Sequence, residues 1–204
     1  WTKNLLVFAG LLFGGRLLDP TATLAAAWTF LLFCALSGAV YLFNDLRDRD
    51  GDRRHPIKRM RPIAAGELRT STALIAAAAL VASGVAGAFL VTPALAGVAA
   101  AYAALLLLYS LVLKHLVIID VMTIAAGFVL RAIAGAVAVN VPISSWLLAC
   151  TTLLALFLAL SKRRHELILL GGGAEDHRPI LDEYSPYLLD QMISVVTAST
   201  VIAY

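Results

Sequence analysis

Charged residues are scarce in this sequence. Its 16 Lys+Arg and 13 Asp+Glu make up 14% of 204 residues, where a soluble domain carries about 25%. They are also bunched, leaving apolar stretches of about 20 residues, the length that crosses a bilayer as a helix. With 61% hydrophobic residues and a mean hydropathy of +0.87, this shortage excludes a soluble enzyme, a nucleic-acid module and a disordered tail. Cysteine is nearly absent. Cys34 and Cys150 both lie inside apolar runs, where they read as small core residues with no disulfide framework implied. No charged leader precedes Trp1, so no cleavable signal peptide is expected. The chain is expected to be trimmed at both ends, because it also stops at Tyr204 about a dozen residues into an apolar run, too short to cross.

What is present is an all-α pattern: a polytopic transmembrane helix bundle forming one domain over residues 1–204. Spans are predicted at a shortened Leu5–Leu18, then Thr23–Phe43, Ser71–Val91, Ala94–Leu113, Val117–Val139 and Ser145–Ser161, with a further helix starting near Met192. The connections alternate in character. Those at Asp19-Pro20, Thr92-Pro93 and Asn140-Val141-Pro142 are short, whereas residues 44–70, Lys114-His115 and residues 162–190 hold most of the polar side chains. Together with Lys3 the second set carries 14 of the 16 Lys and Arg, which by the positive-inside rule puts it in the cytoplasm. An integral cell-membrane protein with a cytoplasmic active face follows, the loops 44–70 and 162–190 converging over the bundle.

Asn44, Asp45, Asp48 and Asp52 directly continue an apolar helix. At 100° per residue they fall within about 100° of one another, while Asp50 lands near 240°, on the far side. Carboxylates on one helix face repel each other unless a cation sits among them. Hard oxygen ligands suit Mg²⁺ bound to substrate phosphates, so Asp45, Asp48 and Asp52 are the catalytic candidates and, with Asn44, the metal candidates. The alternative is a solvated helix end whose acids pair with Arg47, Arg49, Arg53 and Arg54.

After it, Pro56 and Pro62 predict an ordered, extended turn that carries Lys58, Arg59 and Arg61 back over the acids. Cations beside a metal-binding acid cluster are what a polyphosphate needs. A topology signal or an anionic-lipid contact is the plainer reading of any one of them. His55 reads equally as a capping residue or a ligand.

Further along, Lys162 and Glu166 share a helix face with Arg163 about 100° round. Lys162 and Arg163 are phosphate candidates that Glu166 would orient, against the alternative of a stop signal with a local ion pair. Tyr109 and Lys114 close the fourth span beside the same face. Lys3 and Asn4 could reach a lipid phosphate. Arg131 either lines the site or holds the bundle together, and about 16 Å of helix rise separates it from Asp120. Glu175, Asp176, Asp182 and Glu183, after Gly171-Gly172-Gly173, read as solvated loop charges.

The run Asn44, Asp45, Asp48, Asp52 at the end of a second membrane helix resembles the signature of the UbiA superfamily of intramembrane prenyltransferases. One branch, the decaprenyl-phosphate phosphoribosyltransferases of bacterial cell-wall arabinan synthesis, is resembled more closely. The residues that carry this are Asp52 to Gly66, Trp1-Thr2-Lys3-Asn4, Tyr109-Ser110 with Lys114, Gly127 to Gly135, and Ser161 to Glu166. The resemblance implies about nine membrane helices in a full-length member, about seven of them present here. It also implies transfer of a 5-phosphoribosyl group from phosphoribosyl diphosphate to a polyprenyl phosphate, with Mg²⁺ required, diphosphate released and the lipid entering from the bilayer.

Aromatic prenyltransferases of the superfamily carry a second Asp-rich motif where this chain has Lys162-Arg163-Arg164-His165-Glu166. That exchange disfavours a prenyl diphosphate donor and favours a substrate pair with three separate phosphate positions. The alternatives are a prenyltransferase acting on an aromatic or lipid acceptor and, in another class, a non-catalytic transporter or lipid-binding protein. No nucleic-acid partner is expected, and self-association is left open.

Overall fold

A computed structural model describes residues 1–170 and 184–203, and it is helical with no strand among them. The elements are α1 (Thr2–Phe13), α2 (Pro20–Arg47), α3 (Arg49–Arg54), α4 (Pro62–Ala65), α5 (Thr70–Phe89), α6 (Pro93–Leu111), α7 (Ile119–Ala138), α8 (Ser145–Leu170) and α9 (Pro186–Ala203). Six of them, α2 and α5 to α9, are long and apolar enough to cross a membrane. Large apolar side chains face outward, among them Leu18, Leu90 and Ile202, as they do where lipid is the solvent. This is an integral membrane protein.

Local chemistry sets the helix ends. Asp19 caps α2 by accepting from the Thr21 and Ala22 N–H groups at 2.9 and 3.2 Å, with Pro20 at the first helical position. Thr92 and Pro93 repeat the device on α6, Thr92 Oγ1 accepting from Leu95 N–H at 3.0 Å. Helix α1 stops earlier than Leu18 because Gly15 takes φ +66°. Arg16 N–H then donates to Leu11 O at 3.1 Å and Gly15 N–H to Leu12 O at 3.3 Å, a paired closure that a left-handed residue makes.

Predicted boundaries also move in the last two helices. Helix α8 continues through the charged run to Leu170, and α9 begins at Pro186 rather than Met192, so residues 162–170 and 186–190 are helix and not loop. Polar Asp190 sits inside α9, where Arg164 of α8 donates to it, Nη2 to Oδ2 at 3.2 Å. With those residues included, α9 reaches 18 residues and spanning length, where a stub was expected. Glu175, Asp176, Asp182, Glu183 and the glycine run lie outside the described residues.

Helix α7 occupies the centre, with α1, α2, α6 and α8 against it, α5 outside α2 and α9 outside α8. Apolar surface cannot drive helices together in a lipid solvent, so close approach through small residues does much of the work. At the α1–α7 crossing the backbones touch. A methyl built on Gly135 would lie 1.8 Å from Val7 O, and one on Gly10 would lie 2.5 Å from Ala136 N. Gly135→Ala is therefore expected to push α1 off α7 and lower the thermal midpoint of the detergent-solubilised protein. Overpacking of this kind costs about 1–3 kcal/mol or more. Gly97→Ala, which meets nothing within 4 Å, is the control expected to cause no loss.

Candidate active site

The polar residues gather at one end of the bundle. Helix α2 runs to Arg47, breaks at Asp48 (φ −88°, ψ 3°) and resumes as α3. Across the break Asp48 N–H still donates to Asn44 O and Asp52 N–H to Asp48 O, at 2.9 and 2.8 Å, so near-helical spacing persists. The side chains separate accordingly: Asp52 is buried and Asp50 is 89% exposed.

The segment after α3 returns over this face, though it is not extended throughout. His55 (ψ 132°) and Arg61 (ψ 139°) take extended backbone, each because a proline follows. Between them Lys58–Met60 forms a 3₁₀ turn, and Pro62 opens α4, which ends at Gly66 with φ +84°. The His55 ring caps the turn, Nδ1 accepting from the Ile57 and Lys58 N–H groups at 3.2 and 3.3 Å.

Arg61 thereby reaches the acids. Its Nη1 donates to Asp45 Oδ1 at 2.8 Å and to Asp52 Oδ2 at 2.9 Å. Lys114, from the α6–α7 connection, lies 3.5 Å from Asp48 Oδ1. The acids are thus balanced by Arg61 and Lys114, while Arg47 donates to Ser110 O and Arg53 to Ala64 O. Lys58 and Arg59 are exposed on the same segment.

Below this polar end a cavity of about 180 Å³ descends into the bundle. Asn44 of α2, Lys3 of α1, Tyr109 of α6, Arg131 of α7, and Lys162 and Arg163 of α8 are in its wall. Asn44 Oδ1 is buried there without a hydrogen-bond partner among the described residues. Asp45, Asp48 and Asp52 lie at the polar end and not among the lining residues.

Arg131 forms the floor. It is 6% exposed, donates to Asn4 Oδ1 and Gly127 O at 2.7 Å each and to the Tyr102 hydroxyl, and lies over the Tyr102 and Phe128 rings. Among the described residues no carboxylate pairs with it. Structure-holding and cavity-lining positions are therefore combined in one residue. Lys162 lies 3.7 Å from Glu166 and Arg163 2.7 Å, so Glu166 contacts both cations rather than one.

The oxygens of Asn44, Asp45, Asp48 and Asp52 fit a hard divalent cation. Among the described residues no three Asp, Glu, His or Cys side chains are close enough to hold an ion by themselves. Mg²⁺ commonly uses one or two carboxylates and takes its other oxygens from water and substrate phosphates, and Asn44 Oδ1, unpartnered among the described residues, offers a further neutral ligand oxygen.

Sequence reasoning passed over Tyr102, Ser37 and Tyr184 and left Asp120 without a partner. A tyrosine midway along an Ala- and Leu-rich span was the available signal for Tyr102, since its hydroxyl requires a polar neighbour inside the membrane.

Residues 4–164 match the UbiA prenyltransferase family. The chain belongs to that family. The UbiA fold is also evident from a UbiA homologue of Archaeoglobus fulgidus solved with DMAPP and Mg²⁺. It superimposes with a TM-score of 0.80 at 19% identity, over 98% of this chain and 72% of that one. Within the family, the decaprenyl-phosphate phosphoribosyltransferase of Corynebacterium glutamicum is 38% identical over all of this chain, which spans 63% of its length. The protein of the same name from Mycobacterium tuberculosis is 36% identical, again over the whole chain and 69% of that protein.

Proposed function

We propose that this chain belongs to an enzyme that transfers a 5-phosphoribosyl group from phosphoribosyl diphosphate to a polyprenyl phosphate, for cell-wall arabinan precursors, at the cytoplasmic face of the cell membrane. The observation that carries the reading is the cationic cavity wall: Lys162 and Arg163 of α8 line it where a second acid motif would serve a prenyl diphosphate donor. The relatives named for this activity and the short, nearly bare connections at the opposite end of the bundle support it.

Asn44, Asp45, Asp48 and Asp52 would hold Mg²⁺, which when bound neutralises the diphosphate and makes it a better leaving group. Arg61, with Lys58 and Arg59 beside it, binds phosphate oxygens at the polar end, where Arg supplies planar paired contacts and Lys a movable charge. Lys114 and Tyr109 close the side next to α6, and Lys3, Arg131, Lys162 and Arg163 supply positive charge deeper in the cavity. As the anomeric C–O bond breaks, positive charge develops on the ribose ring, and an oxygen of the lipid phosphate adds to that carbon. The nucleophile is already anionic, so no general base is required. The chain's contribution is positioning, charge neutralisation and the exclusion of water by Val40, Leu106, Ile124 and Phe128.

The test uses the full-length protein in vesicles containing polyprenyl phosphate, given phosphoribosyl diphosphate labelled in the ribose. Label is expected in the organic phase, and chelation of divalent ions by EDTA is expected to abolish it until Mg²⁺ is restored. Transfer that continues undiminished in EDTA contradicts the metal assignment.

A further inference from the structure

At the entrance to α7 the backbone is strained. Ile118 sits at φ +67°, ψ −45°, and Ile119 N–H closes on Val117 O at 2.7 Å, a γ-turn of the rare positive-φ kind centred on a β-branched residue. Such conformations persist only where neighbours over-determine them. Here the neighbour is Tyr184, whose hydroxyl accepts from Ile118 N–H at 2.7 Å and donates to Asp120 Oδ1 at 2.6 Å. The other oxygen, Asp120 Oδ2, accepts from Arg163 Nε at 2.7 Å. Arg163 in turn donates to Glu166 Oε2 at 2.7 Å and to the Tyr109 hydroxyl at 3.5 Å.

Asp120, Arg163 and Tyr184 are 0%, 1% and 3% exposed, yet Arg163 lies in the wall of the cationic cavity. A guanidinium has five N–H donors, and these contacts use three, leaving two without a partner among the described residues. A buried ion pair is a poor device for stability alone, because desolvation offsets most of the attraction. Burial, and next the hydrogen bond to Asp120, push the Tyr184 hydroxyl above the ordinary tyrosine range, so it stays a donor at physiological pH.

We infer that Asp120 and Tyr184 are positioning residues. Through Asp120 they fix the guanidinium of Arg163 for a phosphate oxyanion in the cavity and tie that orientation to the segment entering α9. The strained turn at Ile118 aims the Asp120 carboxylate between the two partners. This inference rests on the phosphate-binding reading of the cavity.

The experiment measures binding of inorganic diphosphate with Mg²⁺ to the full-length protein by calorimetry, next to thermal unfolding and phosphoribosyl transfer. Tyr184→Phe removes one hydroxyl and is expected to weaken diphosphate about tenfold, and Asp120→Asn about tenfold to a hundredfold, the range of one charge-assisted hydrogen bond. Asp120→Glu should recover part of the loss. In an Arg163→Lys background, Tyr184→Phe should cost little more, since its effect passes through Arg163. Unchanged diphosphate affinity with a lowered melting temperature in Tyr184→Phe, or fully additive losses in the double variant, overturns the inference. A wild-type protein that binds diphosphate but transfers no phosphoribosyl group defeats the substrate reading and leaves this test standing. One that binds no diphosphate defeats both.

Discussion

Asp52→Ala is expected to lower phosphoribosyl transfer by about 10²–10³-fold or more, the scale on which one preorganised electrostatic group acts, while the protein still folds. Asp52 is buried against Arg61, whose Nη1 lies 2.9 Å from its Oδ2. Removing the carboxylate takes away an oxygen of the face proposed to hold Mg²⁺. Arg61 keeps Asp45 at 2.8 Å, so no cation is left without a partner and the fold should survive. Asp48→Ala is expected to behave alike, because its remaining partner Lys114 is at the polar boundary and can reach water. Asp50, 89% exposed and 4.0 Å from Arg53, faces away, and Asp50→Ala should keep most of the activity. Rates in membrane vesicles, normalised to folded protein, check all three. Transfer near the wild-type rate in Asp48→Ala or Asp52→Ala would sink the metal assignment.

Arg131→Met should produce the second large loss, about a hundredfold in transfer, comparable to the removal of a charge-assisted contact in a dry site. A guanidinium 6% exposed and held, among the described residues, by neutral acceptors and aromatic faces is expected to draw an anion into the cavity beside it. Methionine fills similar volume without the charge. Tyr102 keeps its 3.0 Å hydrogen bond with Ser37, and Asn4 keeps Ser37 and Cys34, so a lower melting temperature is expected without loss of the folded state. Arg131→Lys should recover part of the activity. An Arg131→Met protein that melts earlier yet transfers normally would leave Arg131 a bundle-holding residue alone.

The parts of this molecule legible in the sequence are those written in local chemistry. Run length marked the spans, Asp19-Pro20 and Thr92-Pro93 read as short connections between them, and i, i+4, i+8 spacing placed Asn44, Asp48 and Asp52 on one side of a near-continuous helix. Asp50 fell on the far side for the same reason. What was not legible depends on long-range partners. Asp190 looks like a loop residue until Arg164 is seen beside it, within the first turns of α9. Arg163 looks like an exposed loop cation until Asp120, 43 positions away, buries it. Arg47, Arg49, Arg53 and Arg54 were the nearer counter-ions for the acids. The proline-framed return instead brings Arg61 to Asp45 and Asp52, and the α6–α7 turn brings Lys114 to Asp48. The Gly10–Gly135 contact could not be read either, because only the crossing of α1 and α7 distinguishes those glycines from others in the spans.

Donor choice tests the account most directly. Vesicles of the full-length protein, supplied with Mg²⁺ and polyprenyl phosphate, would be given ribose-labelled phosphoribosyl diphosphate in one arm. In the other they would receive labelled prenyl diphosphate with an aromatic acceptor. A cavity whose α8 wall carries Lys162 and Arg163 in place of a second acid motif should pass label to lipid from the phosphoribosyl donor and leave the prenyl donor intact. Consumption of the prenyl diphosphate with no labelled phosphoribosyl lipid would contradict the account, keeping the family and refuting the substrate.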